Sequence, residues 1–294
     1  MDESTENRVI RLFSRNIPNS GDRPPGHGGT RARVTAVTSG KGGVGKTSLS
    51  INVGAAMARE GSRVLLVDGD LSLGNIDLFL GLSPAYHLGH AVSGERTLAE
   101  CAEHRGDNLY VLAAPSGMSG LGREFGLHRR RLSGELDNML GKVDVVLLDT
   151  GGGIGPEVML FNRMADDVVV VVTPEPASVT DAYALVKKLA AEQGRTRFGV
   201  VVNLARSAGE AHSALDALRK VCGGLDDVSL RFLGHLPYDR RMHESVTRQE
   251  AVVDLYPDSR VARGFFRIAQ RFTENGPGKP VSGGGARNRA PAGA

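Results

Sequence analysis

The chain has 294 residues, 40% of them apolar, enough to build one large α/β core or two modest ones. No run of about eighteen apolar residues occurs, and the polar, acidic start MDESTENRV lacks the basic block and apolar stretch of a secretory signal, so neither a membrane span nor secretion is expected. The net charge of +3 sits at the ends: residues 1–33 and 273–294 each carry an excess of +2, which leaves the body at −1, without the basic surplus of a DNA-binding domain.

In chain order, residues 1–32 are rich in Gly, Pro and polar side chains and read as a flexible arm. Within it NRVIRLF is amphipathic but too short to hold a helix alone. VTAVTS at 34–39 is the first of seven short apolar runs, followed by RVLLVD at 63–68, NLYVLAA at 108–114, VDVVLLD at 143–149, DVVVVVT at 167–173, FGVVVN at 198–203 and LRFLGHLP at 230–237. Near-continuous β-branched runs suit strands buried on both faces, as in a parallel sheet. Between them, TSLSINVGAAMARE and SVTDAYALVKKLAAEQ carry apolar stripes of helical period and stop near Gly61 and Gly194. The expected fold is one doubly wound α/β domain over 33–272, a mostly parallel sheet flanked by helices on both faces, with sites at the carboxyl ends of its strands.

Directly after the first strand comes TSGKGGVGKTS at 38–48. Gly40, Gly45, Lys46 and Thr47 satisfy G-x-x-x-x-G-K-[ST] between a predicted strand and a predicted helix, the context a phosphate loop requires. Gly40, Gly42, Gly43, Val44 and Gly45, continuing through Lys46, Thr47 and Ser48, form the expected nucleotide-binding loop. Its peptide N–H groups turn inward on phosphate oxygens, Lys46 bridges the outer phosphates of ATP, and the Thr47 hydroxyl ligates Mg2+. A second lysine, Lys41, has no place in that inner grip. K-G-G-V-G-K-T resembles the deviant Walker A signature of the MinD/ParA class of ATPases. The resemblance implies a homodimer formed with ATP, in which Lys41 reaches the partner's phosphates and does in trans what an arginine finger does elsewhere, a contribution of about 10³ to 10⁵ in rate.

The second strand ends VLLVDGD, placing Asp68 and Asp70 beside the loop. A carboxylate there can orient a water in line with the γ-phosphate. The following Gly74, Asn75 and Asp77 resemble the class's switch I segment, which implies Asp70 as the water-orienting residue and Asp68 as a neighbouring support counted with the metal set. Capping of a helix start is the alternative for these acids. Cys101 lies three residues before His104, too few ligands for a metal site, and with Cys222 it shows no paired spacing, as in a reducing compartment. The run VDVVLLD closes on Asp149, the Walker B position for holding Mg2+ through water, followed by Gly151, Gly152 and Gly153 as a movable loop. Relatives usually place a small non-glycine residue in that run, so three glycines are expected to loosen it.

For adenine, the resemblance implies the Asn203 amide at the base edge and Pro237 and Asp239 against its face. Capping of a turn is the alternative for Asn203. In SRVARGFFRIAQRF at 259–272, Val261, Phe265, Ile268 and Phe272 form one helical stripe and Arg260, Arg263, Arg267 and Arg271 another. Core packing is the expected role and peripheral contact at the inner face of the cell membrane the alternative. Residues 273–294 read as a disordered tail. Ser119, Arg163 and the scattered histidines suggest no mechanism.

The stretch TPEPASVTDAYALVKKL at 173–189 and DTGGGIG at 149–155 are similar to the FlhG branch of the class, the MinD-like regulators of flagellar placement and number. This implies a cytoplasmic ATPase acting on an SRP-type GTPase, FlhF, and on flagellar switch or regulatory components. The branch's N-terminal D-Q-A-x-x-L-R motif has no clean copy in MDESTENRVIRLFSRN. The alternatives are a MinD-like division-site or ParA-like partition ATPase, or a nucleotide-sensing scaffold with little turnover.

Overall fold

The computed structural model describes residues 32–71, 73–106, 108–114, 135 and 138–275. The arms expected over 1–32 and 273–294 lie outside these residues, save Ala32 and the end of the last helix, as does Ser119.

All seven apolar runs are strands, and an eighth joins them: β1 Arg33–Ser39, β2 Val64–Gly69, β3 Ala102–His104, β4 Leu109–Leu112, β5 Val145–Gly152, β6 Asp167–Val172, β7 Arg197–Val202 and β8 Ser229–His235. They form one sheet in the order β3-β4-β2-β5-β1-β6-β7-β8, in which every neighbouring pair is parallel except β3 with β4. β3 is the sequence AEH, too short and polar to be read as a strand. It pairs antiparallel to the next strand across a short hairpin, Ala102 opposite Leu112 and His104 opposite Tyr110, so an apolar neighbour rather than its own composition makes it a strand.

The helices are α1 Lys46–Arg59, α2 Ile76–Leu80, α3 Leu88–Ser93, α4 Leu98–Cys101, α5 Pro156–Met164, α6 Pro176–Gln193, α7 Ala208–Cys222, α8 Arg240–Arg248, α9 Val252–Leu255 and α10 Arg260–Asn275. α6 begins with proline, whose fixed φ suits the first helical position, and Gly194 ends it at φ 63. The two faces of the sheet are buried separately: Val64 and Leu66 pack in the cluster holding α1 and α10, while Leu65 and Val67 pack with α3 to α5. That alternation under near-continuous burial is what the apolar runs encode.

On α10, Val261, Phe265 and Ile268 are each 1% exposed and Phe272 is buried, all against α1 and the sheet. The stripe is core, and the bilayer alternative for it is corrected accordingly: burying a side chain such as Phe265 contributes about 1.5–3 kcal/mol, and the same face cannot also lie in lipid. Among the described residues no helix is long and apolar enough to cross a membrane.

Candidate functional site

The carboxyl ends of β1, β2, β5, β6 and β7 bring the candidate residues together. β1 is central, between β5 and β6, and passes through residues 40–45 into α1. α6 seats the loop from outside: a Cβ at Gly40 would lie 1.9 Å from the Asp181 carbonyl oxygen, so helix and loop meet at a distance only glycine permits. Inside, Lys46 is 8% exposed, and burial pushes its ammonium down while Asp149 and Asp70 oppose the fall.

Thr47 and Ser50 lie one turn apart on α1, and their hydroxyls donate to the two oxygens of Asp149 at 2.6 and 2.9 Å. Asp149 is buried near the end of β5, and burial pushes its carboxyl up to about 7; the two hydroxyls and Lys46 oppose the rise and Asp68 adds to it. Asp68, directly opposite Asp149 in the β2–β5 register, is pushed by burial to about 6. It accepts the peptide N–H groups of Asp70, Asn75 and Ile76 at 3.0, 2.8 and 3.2 Å, which ties the end of β2 to the start of α2. Asp70 accepts from the Leu73 N–H and faces Gly151.

Two buried carboxyl groups held above their ordinary range, beside a hydroxyl and a buried lysine, make an oxygen-rich set short of positive charge. A hard dication carried in with phosphate oxygens fits such a set, since Mg2+ is typically held by one or two carboxylates together with its substrate. The turn after Asp149 then approaches the phosphate loop. Gly153 N–H donates to the Ser39 carbonyl at 2.9 Å, and a Cβ at Gly152 would sit 2.9 Å from the Gly42 nitrogen. At Gly151 a Cβ would rest 3.6 Å from the Asp70 carboxyl, an ordinary contact. Only part of the glycine run is therefore spare.

Lys41 stands on the rim, 41% exposed, its Nζ 3.0 Å from Glu175. Asn203 lies behind the loop and both ends of its amide are engaged here: Nδ2 donates to the Val44 carbonyl at 2.8 Å and Oδ1 accepts the Leu204 N–H. Leu236 N–H donates to the Val202 carbonyl and Ala205 N–H to the Leu236 carbonyl, setting the Pro237–Asp239 segment beside Asn203. Asp239 caps α8 by accepting the Arg241 N–H, and Tyr238, between Pro237 and Asp239, is exposed.

The structure adds three residues that the sequence reading did not select. Ser50 had a local signal, three positions after Thr47 on one helix. Glu175 and Lys188 had none: Glu175 meets Lys41 across 134 positions, and Lys188 donates to the Ile154 carbonyl just past the glycine run.

The sequence profile of the CobQ/CobB/MinD/ParA nucleotide binding domain matches residues 35–252. The antiactivator FleN of Pseudomonas aeruginosa is 38% identical over 239 residues, covering 81% of this chain and 85% of that protein. The flagellum site-determining protein YlxH of Helicobacter pylori is 28% identical over 238 residues, covering 81% and 80%. Among solved structures, the MinC:MinD cell division complex of Aquifex aeolicus matches with a TM-score of 0.68 and 26% identity, over 82% of this chain and 96% of that one. The match over the loop, the sheet and both carboxylate strands means that the chain belongs to the CobQ/CobB/MinD/ParA nucleotide-binding family, as a MinD-like P-loop ATPase of the FleN/YlxH kind.

Proposed function

We propose that the chain is an ATP-driven dimerisation switch regulating the site or number of flagella, with residues 33–272 as its ATPase unit. The observation that carries the reading is the unlike placing of two lysines in one loop: Lys46 is buried among carboxylates, while Lys41 is on the rim, paired with Glu175. An exposed ion pair contributes only about 0–1 kcal/mol, so Lys41 can exchange Glu175 for phosphate oxygens of a second copy at little cost.

In this reading the peptide N–H groups of 40–48 and Lys46 hold the phosphates, and Asn203, Pro237 and Asp239 flank the adenine. Asp70 orients the water that attacks the γ-phosphorus as the bond to the β–γ bridging oxygen breaks. Thr47 and Asp149 would hold Mg2+, with Ser50 fixing Asp149 and Asp68 shaping the loop behind them. When bound, the ion neutralises charge on the outer phosphates. Lys41 of the second copy supplies the remaining positive charge.

The flagellar assignment rests on the relatives, one named an antiactivator and the other flagellum site-determining. Partners are then flagellar switch or regulatory proteins and an SRP-type GTPase, and the chain works in the cytoplasm. Sedimentation tests the switch: Asp70→Ala saturated with MgATP sediments as a dimer, and adding Lys41→Ala returns it to monomer while nucleotide still binds. Monomers in both cases, or dimers in both, would overturn it. Affinity capture with ATP against ADP tests the setting, where division or partition proteins in the ATP set would replace the flagellar reading.

A further inference from the structure

β8 ends the sheet on the side opposite β3, yet its outer edge is not open for strand addition. The pairing steps from Val200 opposite Phe232 to Val201 opposite Gly234, leaving Leu233 as a bulge. The Leu233 carbonyl accepts from Arg271 on α10 at 2.7 Å, and the Leu230 carbonyl accepts from Arg219 on α7 at 3.2 Å. Arginines from the two flanking helices thus occupy edge carbonyls that another strand would need.

Beside the bulge lies a cleft of about 280 Å³, bounded by His212 of α7, Phe232 and His235 of β8, and Arg267, Ile268 and Arg271 of α10. Among the described residues, its walls carry two guanidinium groups and two imidazoles and no carboxylate. Arg267 is exposed, four residues from Arg271 on the same helix face, and has no carboxylate partner among the described residues. His212 Nδ1 donates to the Ala208 carbonyl at 2.7 Å, which leaves Nε2 for another partner. Burial, then Arg267, Arg260 and His212, all push the His235 imidazole down. Phe232 and Ile268 give the cleft an apolar side.

We propose that this cleft is a second anion site, separate from the phosphate loop, that takes a small phosphorylated molecule. Planar guanidinium groups match phosphate oxygens, and the imidazoles can add donors as they take up protons. The volume is at the lower end for ligand pockets, about 300 Å³, which suits one phosphate group on a small apolar or sugar body better than a whole nucleotide. The Leu233 bulge turns the strand at this point, the kind of position where bulges commonly re-aim groups toward a site.

The test uses the full chain saturated with MgADP, so that the phosphate loop is filled, with phenyl phosphate as the probe. His235 is followed by NMR at constant ionic strength. The proposal expects a saturable shift of the His235 ring signals, a rise in the pH at which they titrate, and about ten-fold weaker binding in Arg267→Met, with MgADP affinity and melting temperature unchanged. Arg267 is exposed and bonds no backbone group among the described residues, so this variant keeps the edge capped by Arg271. The proposal fails if sodium chloride produces the same shift, if Arg267→Met binds the probe as well as the parent, or if phenol binds equally. Tighter binding of a hexaglutamate peptide than of phenyl phosphate would also overturn it, because the cleft would then read an acidic peptide.

Discussion

Gly151 and Gly152 are adjacent, chemically identical and both at the end of β5, yet alanine at the two positions should act in opposite directions. At Gly152 the added methyl would stand 2.9 Å from the Gly42 nitrogen and 3.0 Å from its Cα, against backbone that no side-chain rotation can clear. Forcing a methyl into packed surroundings costs about 1–3 kcal/mol, and here the displaced atoms belong to the phosphate loop itself. At Gly151 the methyl would rest 3.6 Å from the Asp70 carboxyl, and the backbone is not in the left-handed region. Removing glycine's extra freedom from the unfolded chain then stabilises by about 0.4–1 kcal/mol. With about 2–4 °C of melting temperature per kcal/mol, Gly151→Ala should melt about 1–4 °C higher and Gly152→Ala about 2–12 °C lower. Fluorescent nucleotide binding should weaken only in Gly152→Ala. Equal melting shifts in the two variants, or full nucleotide affinity in a destabilised Gly152→Ala, would refute the reasoning that this glycine is required by contact with the loop.

Three further outcomes follow from burial. Because burial raises the folded pKa of Asp149 above its unfolded value, its stability contribution is full below about pH 4 and is lost as pH rises toward 7. The stability of nucleotide-free Asp149→Asn minus that of the parent should accordingly grow between pH 4 and 7, by up to about 1.4 kcal/mol per pH unit in urea titrations; a difference independent of pH would contradict this. Phe265→Glu should lose about 3–5 kcal/mol or fail to fold, because the carboxylate would enter the α1–α10 core, and a variant with parental melting temperature would show the stripe is not core. Cys101 and Cys222 are buried, with both thiols pushed up to about 11. They should react with a thiol reagent at pH 8 only after denaturation, and rapid labelling of the native chain would count against their placement.

The strands, the phosphate loop and the carboxylate-ended runs were legible because their signals are local. Near-continuous β-branched runs need burial on both faces, and a glycine loop between strand and helix has few other uses. Apolar positions on α10 announced a stripe but not its partner, since core and bilayer select the same side chains; only the packing against α1 distinguished them. Contacts between distant segments left no such trace. Nothing near Lys41 names Glu175 and nothing near Gly40 names Asp181, because each depends on where the sheet brings another segment. Even the glycine run divides this way: the sequence marked three glycines as a loose turn, while the fold decided that Gly152 is fixed by its neighbour and Gly151 is not. Local chemistry selects which groups can meet a phosphate; the distances at which they meet are set by chain segments more than a hundred residues apart.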